Sequence, residues 1–127
     1  RLQTDIVDLI EAALAGRLDK VTAEWDTRAA VGVVMAAGGY PGSYRKGDVI
    51  SGLDSAFGEA VKVFHAGTSH QGSNVVTAGG RVLCVTALGD DIAAARNRSY
   101  AAAGQIHWRD CFYRRDIGHR AIEKVDC

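Results

Sequence analysis

The stretch Ala29-Ala30-Val31-Gly32-Val33-Val34-Met35-Ala36-Ala37, closed by Gly38-Gly39, carries the clearest structural signal in the sequence. Its short, continuous apolar run with β-branched residues predicts a strand covered on both faces, and the glycine pair marks where the chain turns away. Downstream, Val61 to His65 alternates enough for a half-buried strand, and Asn74 to Thr77 and Arg81 to Leu88 read as two more. Gly72 and Gly79-Gly80 fall between these runs, where antiparallel hairpin turns are expected.

Helical patterns flank the strands. Ile6, Leu9, Ile10, Ala13 and Leu14 have the spacing of an amphipathic helix over Thr4 to Leu14. Thr4 is its expected cap and Gly16 its stop, while Asp5 and Asp8 complement the dipole in or near the first turn. Asp90 is the expected cap of a longer, Ala-rich helix reaching about Ile106, with Gly104 its one unfavourable residue. Trp108 to Asp116 shows no clear periodicity, and Ala121 to Cys127 reads as a fraying end. The architecture that follows is α+β: a leading helix, an antiparallel sheet of about four to five strands, and a helix packed on it.

A chain of 127 residues fits one domain able to bury its own core. Fifteen basic and fifteen acidic side chains leave no net charge, which argues against general nucleic-acid or acidic-membrane binding. No apolar run approaches the roughly 20 residues a bilayer span needs, and the start lacks a signal-peptide pattern, so a soluble cytoplasmic protein is expected. Cys84, Cys111 and Cys127 are an odd set without C-x-x-C spacing. Cys84, inside an apolar run, is expected to be a buried free thiol, and no metal site is expected.

Two clusters are candidates for chemistry. In Gly38-Gly39-Tyr40-Pro41-Gly42, three glycines surround an aromatic and a proline directly after a strand. Such a turn can point bare backbone amides at an anion, with Tyr40 or Tyr44 beside it; the plain alternative is a tight turn with no ligand. It is neither a P-loop nor a dinucleotide fingerprint. In the second cluster, Arg114-Arg115-Asp116, one arginine is free to fork onto a carboxylate or phosphate while the other pairs with Asp116 or Glu123; the alternative is a solvated charged segment. His65, His70, His107 and His119 are scattered; His65, directly after a strand, is placed to reach a site at the strand end, and the plainer reading is a hydrogen-bonded structural residue. Asp90-Asp91 is explained by helix capping, so the residues supply binding groups and no catalytic machinery.

Seven phrases in order resemble the C-terminal domain of the glycinamide ribonucleotide synthetase family along nearly the whole chain: Thr4 to Leu9, Gly38 to Gly42, Gly52-Leu53-Asp54, Val63 to Thr68, Gly79 to Leu83, Val85 to Gly89 and Tyr113 to Gly118. The resemblance implies an ATP-grasp enzyme of purine synthesis. Such an enzyme uses ATP and Mg²⁺ to activate glycine as an acyl phosphate, which the amine of 5-phosphoribosylamine then attacks. It further implies that the metal ligands and most nucleotide contacts lie upstream of Arg1. On this basis residues 1–20 are the terminal helix of the upstream domain, and residues 21–127 are the C-terminal domain, with a sheet of the rudimentary single hybrid motif type.

Carried onto this chain, the resemblance makes Gly38, Gly39, Tyr40, Pro41 and Gly42 a substrate-facing turn. Arg114, Arg115 and Asp116 become substrate-facing or interdomain residues. The implied partners are the small-molecule substrates and the remainder of the enzyme, and the isolated chain is expected to be inactive. Gln3 stands where the family commonly has Lys, and Arg109-Asp110 replaces a pair that often includes Gly, so the loop entering Phe112 is expected to differ. Two further readings stand beside this one: a free-standing module that binds a phosphorylated ligand without catalysis, and a purely structural piece.

Overall fold

The computed structural model describes residues 1–123, so the part of the expected fraying end at 124–127, including Cys127, lies outside the described residues. The class is α+β, with five strands in two antiparallel sheets. The larger sheet has β5 (Arg81–Gly89) at its centre, between β1 (Ala29–Ala36) and β2 (Val61–His65). Strands β3 (Thr68–Gln71) and β4 (Asn74–Thr77) form a separate hairpin. Its two-residue loop, Gly72-Ser73, places Gly72 at φ +60°, a conformation open to glycine without steric cost.

Gly79-Gly80 is not a hairpin turn, because β4 and β5 belong to different sheets. It carries the chain from the hairpin into the centre of the larger sheet. Nor is β1 covered on both faces within this chain. Val31, Val33 and Met35 are buried, whereas Gly32 and Val34 on the opposite face are exposed. Registers Val33↔Val85↔Val63 and Val34↔Cys84↔Phe64 extend this division across the sheet. Cys84 therefore sits on the open face, only half-buried, with its Sγ 3.6 Å from Thr86 Oγ1.

Helix α2 (Ile92–Ala103) covers the other face through Ala95, Ser99, Ala102 and Ala103, all buried. Ser99 Oγ donates to the carbonyl of Val31 at 2.7 Å, which ties the helix to β1. Asp91, not Asp90, caps the helix by accepting from the Ala94 amide at 2.6 Å. The helix stops at Ala103, with Gly104 as the C-cap, and Ile106 enters the core from the following turn.

Helix α1 (Ile6–Leu14) is capped by Asp5, whose carboxylate accepts from Val7 N at 2.8 Å. Thr4 does not cap it, because its Oγ1 is engaged by the amide of Glu24 at 2.7 Å. Gly16 ends the helix as expected: its amide bonds Ala13 O while that of Arg17 bonds Ala12 O, a Schellman pair. The main partner of α1 is the 3₁₀ turn Leu18–Lys20, and residues 1–3 pair with residues 24–26 to close this unit. A third helix, α3 (His119–Glu123), follows the C-terminal segment. Among the described residues, no helix is long and apolar enough to cross a membrane.

Candidate functional site

The end of β1 and the C-terminal segment are drawn together by a single bridge. Ala36 N donates to Phe112 O at 2.8 Å, and Phe112 N donates to Ala36 O at 3.0 Å. The glycine turn leaves β1 at this point, so both sequence-predicted clusters start beside the same backbone pair. Between them lies a groove of about 300 Å³. Tyr40 and Pro41 form one side, Phe112, Arg114 and Ile117 the other, and the open-face residues Gly32 and Val34 the floor. The lining is mostly apolar, with Arg81 and Arg114 supplying the charge.

Within the turn, the glycines answer to packing. A Cβ on Gly38 would lie 2.5 Å from the Cβ of Asp110, and one on Gly39, where φ is +91°, would lie 2.3 Å from the carbonyl of Ser43. The Tyr40 ring packs so closely on Gly80 that a Cβ there would meet it at 2.1 Å. Tyr44 meets Tyr40 edge-on at 6.1 Å between centroids, and the Tyr40–Pro41 peptide is cis. Tyr40 and Pro41 are thus presented to the groove by a turn locked from behind, while Gly38, Gly39 and Gly42 shape that turn without lining the groove. Arg109-Asp110 enters this region directly, since Asp110, at φ +57°, is the residue against Gly38.

The second cluster divides. Arg114 forks onto Asp116, Nε to Oδ1 at 2.8 Å and Nη2 to Oδ2 at 2.6 Å. That pairing holds the Asp116 carboxyl down to about 2 and raises the Arg114 guanidinium above its ordinary value. Arg115 instead lies over the Tyr113 ring, 4.5 Å from its centroid. Of the eight predicted residues, Tyr40, Pro41 and Arg114 share the groove; Arg115 and Asp116 flank it without lining it. Asp116 and Arg114 also border an adjoining hollow of about 460 Å³ against Gly118 to Ala121. A separate hollow of about 530 Å³ lies near Arg28, Phe57 and Arg98 and contains no predicted residue.

His65 is hydrogen-bonded, its Nδ1 3.0 Å from Thr68 Oγ1 across the β2–β3 turn. Among the described residues, no three His, Cys, Asp or Glu side chains gather where a metal could sit. Sequence reasoning passed over Phe112 and Arg81 as groove residues, and also Arg96 and Tyr100, which hold the groove wall from α2. Their four-residue spacing puts Arg96 and Tyr100 on one face of α2, but they share that face with the core residue Ala103, so the spacing alone does not mark a groove wall.

The family described as phosphoribosylglycinamide synthetase, C domain, matches residues 30–120, from β1 into α3. The chain belongs to this family. The match includes both sheets, α2 and the whole groove. A phosphoribosylamine–glycine ligase of Vibrio cholerae is 60% identical over 124 residues, covering 98% of this chain and 29% of the relative. One from Pseudomonas syringae is 58% identical over the same share of each chain. The crystal structure of the phosphoribosylamine–glycine ligase from Thermotoga maritima superposes with a TM-score of 0.67 at 32% identity, covering 84% of this chain and 27% of that one. The chain therefore spans 29% of the length of these curated synthetase relatives.

Proposed function

We propose that this chain is the C-terminal part of an ATP-dependent carbon–nitrogen ligase that joins glycine to 5-phosphoribosylamine, giving glycinamide ribonucleotide, ADP and phosphate in cytoplasmic purine synthesis. The observation that carries the proposal is the 60% identity to a phosphoribosylamine–glycine ligase over 98% of the chain. In this reading, residues 1–20 are the last helix of the preceding domain and residues 21–127 form the C-terminal domain. The exposed apolar stripe of α1 supports that division.

The reaction needs glycine activated as an acyl phosphate and an amine held in line to attack it, a task of positioning and charge neutralisation more than of a protein nucleophile. Among the described residues, no three His, Cys, Asp or Glu side chains gather. Mg²⁺ and the nucleotide belong, in this reading, to the preceding part of the enzyme. What the chain contributes is one wall of the cleft. Tyr40 and Pro41, on a turn shaped by Gly38, Gly39 and Gly42, face the substrates, and Arg114 offers a guanidinium steadied by Asp116, with Arg115 beside it. Gly32 and Val34 supply an apolar floor beside Arg114.

The test compares the full-length protein with the 127-residue chain under ATP, glycine, Mg²⁺ and 5-phosphoribosylamine. The full-length protein is expected to form glycinamide ribonucleotide, and the short chain to form none. Turnover by the short chain would refute the division of labour, and an inactive full-length protein would refute the activity.

A further inference from the structure

Residues 113–116 have no regular secondary structure, yet the backbone from Arg114 to Ile117 is fixed by two side chains of α2. Tyr100 Oη donates to Arg114 O at 2.7 Å and accepts from Ile117 N at 3.0 Å. Arg96 donates from Nε to Ile117 O at 2.9 Å and from Nη2 to Arg115 O at 3.1 Å. The two are one helical turn apart, and the Arg96 guanidinium stacks over the Tyr100 ring, 5.1 Å from its centroid. Tyr100 also meets the ring of Tyr113 at 6.0 Å. Four backbone groups of this irregular segment are therefore satisfied by one self-stacked pair.

The residues held in this way include Arg114 and Ile117, which wall the groove opposite Tyr40 and Pro41. Asp116 occupies the Nε and Nη2 edge of Arg114, and no bond is formed at Nη1 among the described residues. A guanidinium with one edge pinned and the other free is suited to a phosphate group at the groove mouth. We propose that Arg96 and Tyr100 are positioning residues, which set Arg114 so that its open edge meets the phosphate of the sugar amine. The inference rests on the ligase reading given above and deepens it, since neither residue touches substrate.

The experiment uses the full-length ligase. Tyr100→Phe keeps the ring, and so the stacking, and removes both hydrogen bonds. It is expected to raise KM for 5-phosphoribosylamine about five- to tenfold, with kcat and KM for glycine and ATP unchanged within about twofold. Arg114→Ala should raise the same KM, and the double variant should be no worse than the worse single one, because Tyr100 acts through Arg114. Unchanged constants in Tyr100→Phe, a rise shared by all three substrates, a selective rise for glycine or ATP, or additive effects would each overturn the assignment. A wild-type enzyme that makes no product overturns the ligase reading itself, so the two failures are distinct. Should Tyr100→Phe not fold, Arg96→Lys keeps the charge on the same helix face, retains at most one of the two bonds, and is judged by the same split.

Discussion

Helix α1 carries Ile6, Ile10 and Leu14 along one side, and they are 55%, 51% and 85% exposed. Helix α2 presents alanines and a serine to the sheet, and these are buried. The helix with the bolder apolar stripe is thus the one with little against it, and the helix with small side chains is the one seated in the core. Small residues allow close approach: the backbone of α2 at Ala95 comes so near β5 that a Cβ on Gly89 would lie 2.3 Å from Ala95 N. At that separation, core contact comes from the larger residues of the sheet, Val33, Met35, Leu83 and Val85, lying against a smooth helical surface. A periodic apolar stripe says that a face will be covered, but its partner need not belong to the same domain.

The contrast breaks most visibly at Gly89. In Gly89→Val the new side chain meets backbone atoms of Ala94 and Ala95 that cannot rotate away, so α2 must lift from the sheet. The expected loss in the 127-residue chain is about 4 kcal/mol or more, read from urea unfolding. A loss below about 1 kcal/mol would mean that α2 is not seated by backbone contact.

Ile10→Ser sharpens the other half of the comparison. In this chain the side chain is half exposed, so the change should alter stability by less than about 0.5 kcal/mol. In the full-length protein, if α1 packs into a preceding domain as proposed, the same substitution should cost about 2 kcal/mol, seen as a lower unfolding midpoint of that domain. Equal effects in the two contexts would leave the stripe without a partner and remove the support for placing residues 1–20 outside the C-terminal domain.

These two helices also show what could be read in advance. Strands β1 and β5 were legible because runs such as Val-Gly-Val-Val-Met and Val-Leu-Cys-Val-Thr suit a pleated surface wherever they are placed. Strand β3 was not, since Thr68-Ser69-His70-Gln71 is polar and becomes a strand only by pairing with β4. Caps were misplaced by one residue at both helices; at α1 the reason is tertiary, because the Thr4 hydroxyl is engaged by Glu24, 20 residues along the chain and beyond what a local pattern can weigh. At the groove, Tyr40 and Pro41 stood out as aromatic and proline among glycines. Arg96 and Tyr100 could not, because their role depends on where the irregular segment after Phe112 comes to lie.

That segment is held in two ways, by α2 from within and by the Arg114–Asp116 pair at the surface, and acid separates them. The folded Asp116 carboxyl is held at about 2, below the ordinary 3.8, by the Arg114 hydrogen bonds. A depressed carboxylate adds stability above its unfolded value, and that contribution fades as pH falls from 3.8 towards about 2. No change is expected near neutral pH, and the effect is small because both side chains are substantially exposed to screening solvent. At about pH 3 the Asp116 carboxyl carbon resonance should still report mainly the ionised form, whereas an unpaired aspartate would be mostly protonated. The Ile117 amide, bonded to Tyr100, should keep its shift while Asp116 titrates, because the bonds from α2 do not depend on that charge. A midpoint near 3.8 would deny the ion pair, and an Ile117 resonance that follows the titration would mean that the segment hangs on the surface pair and not on the helix.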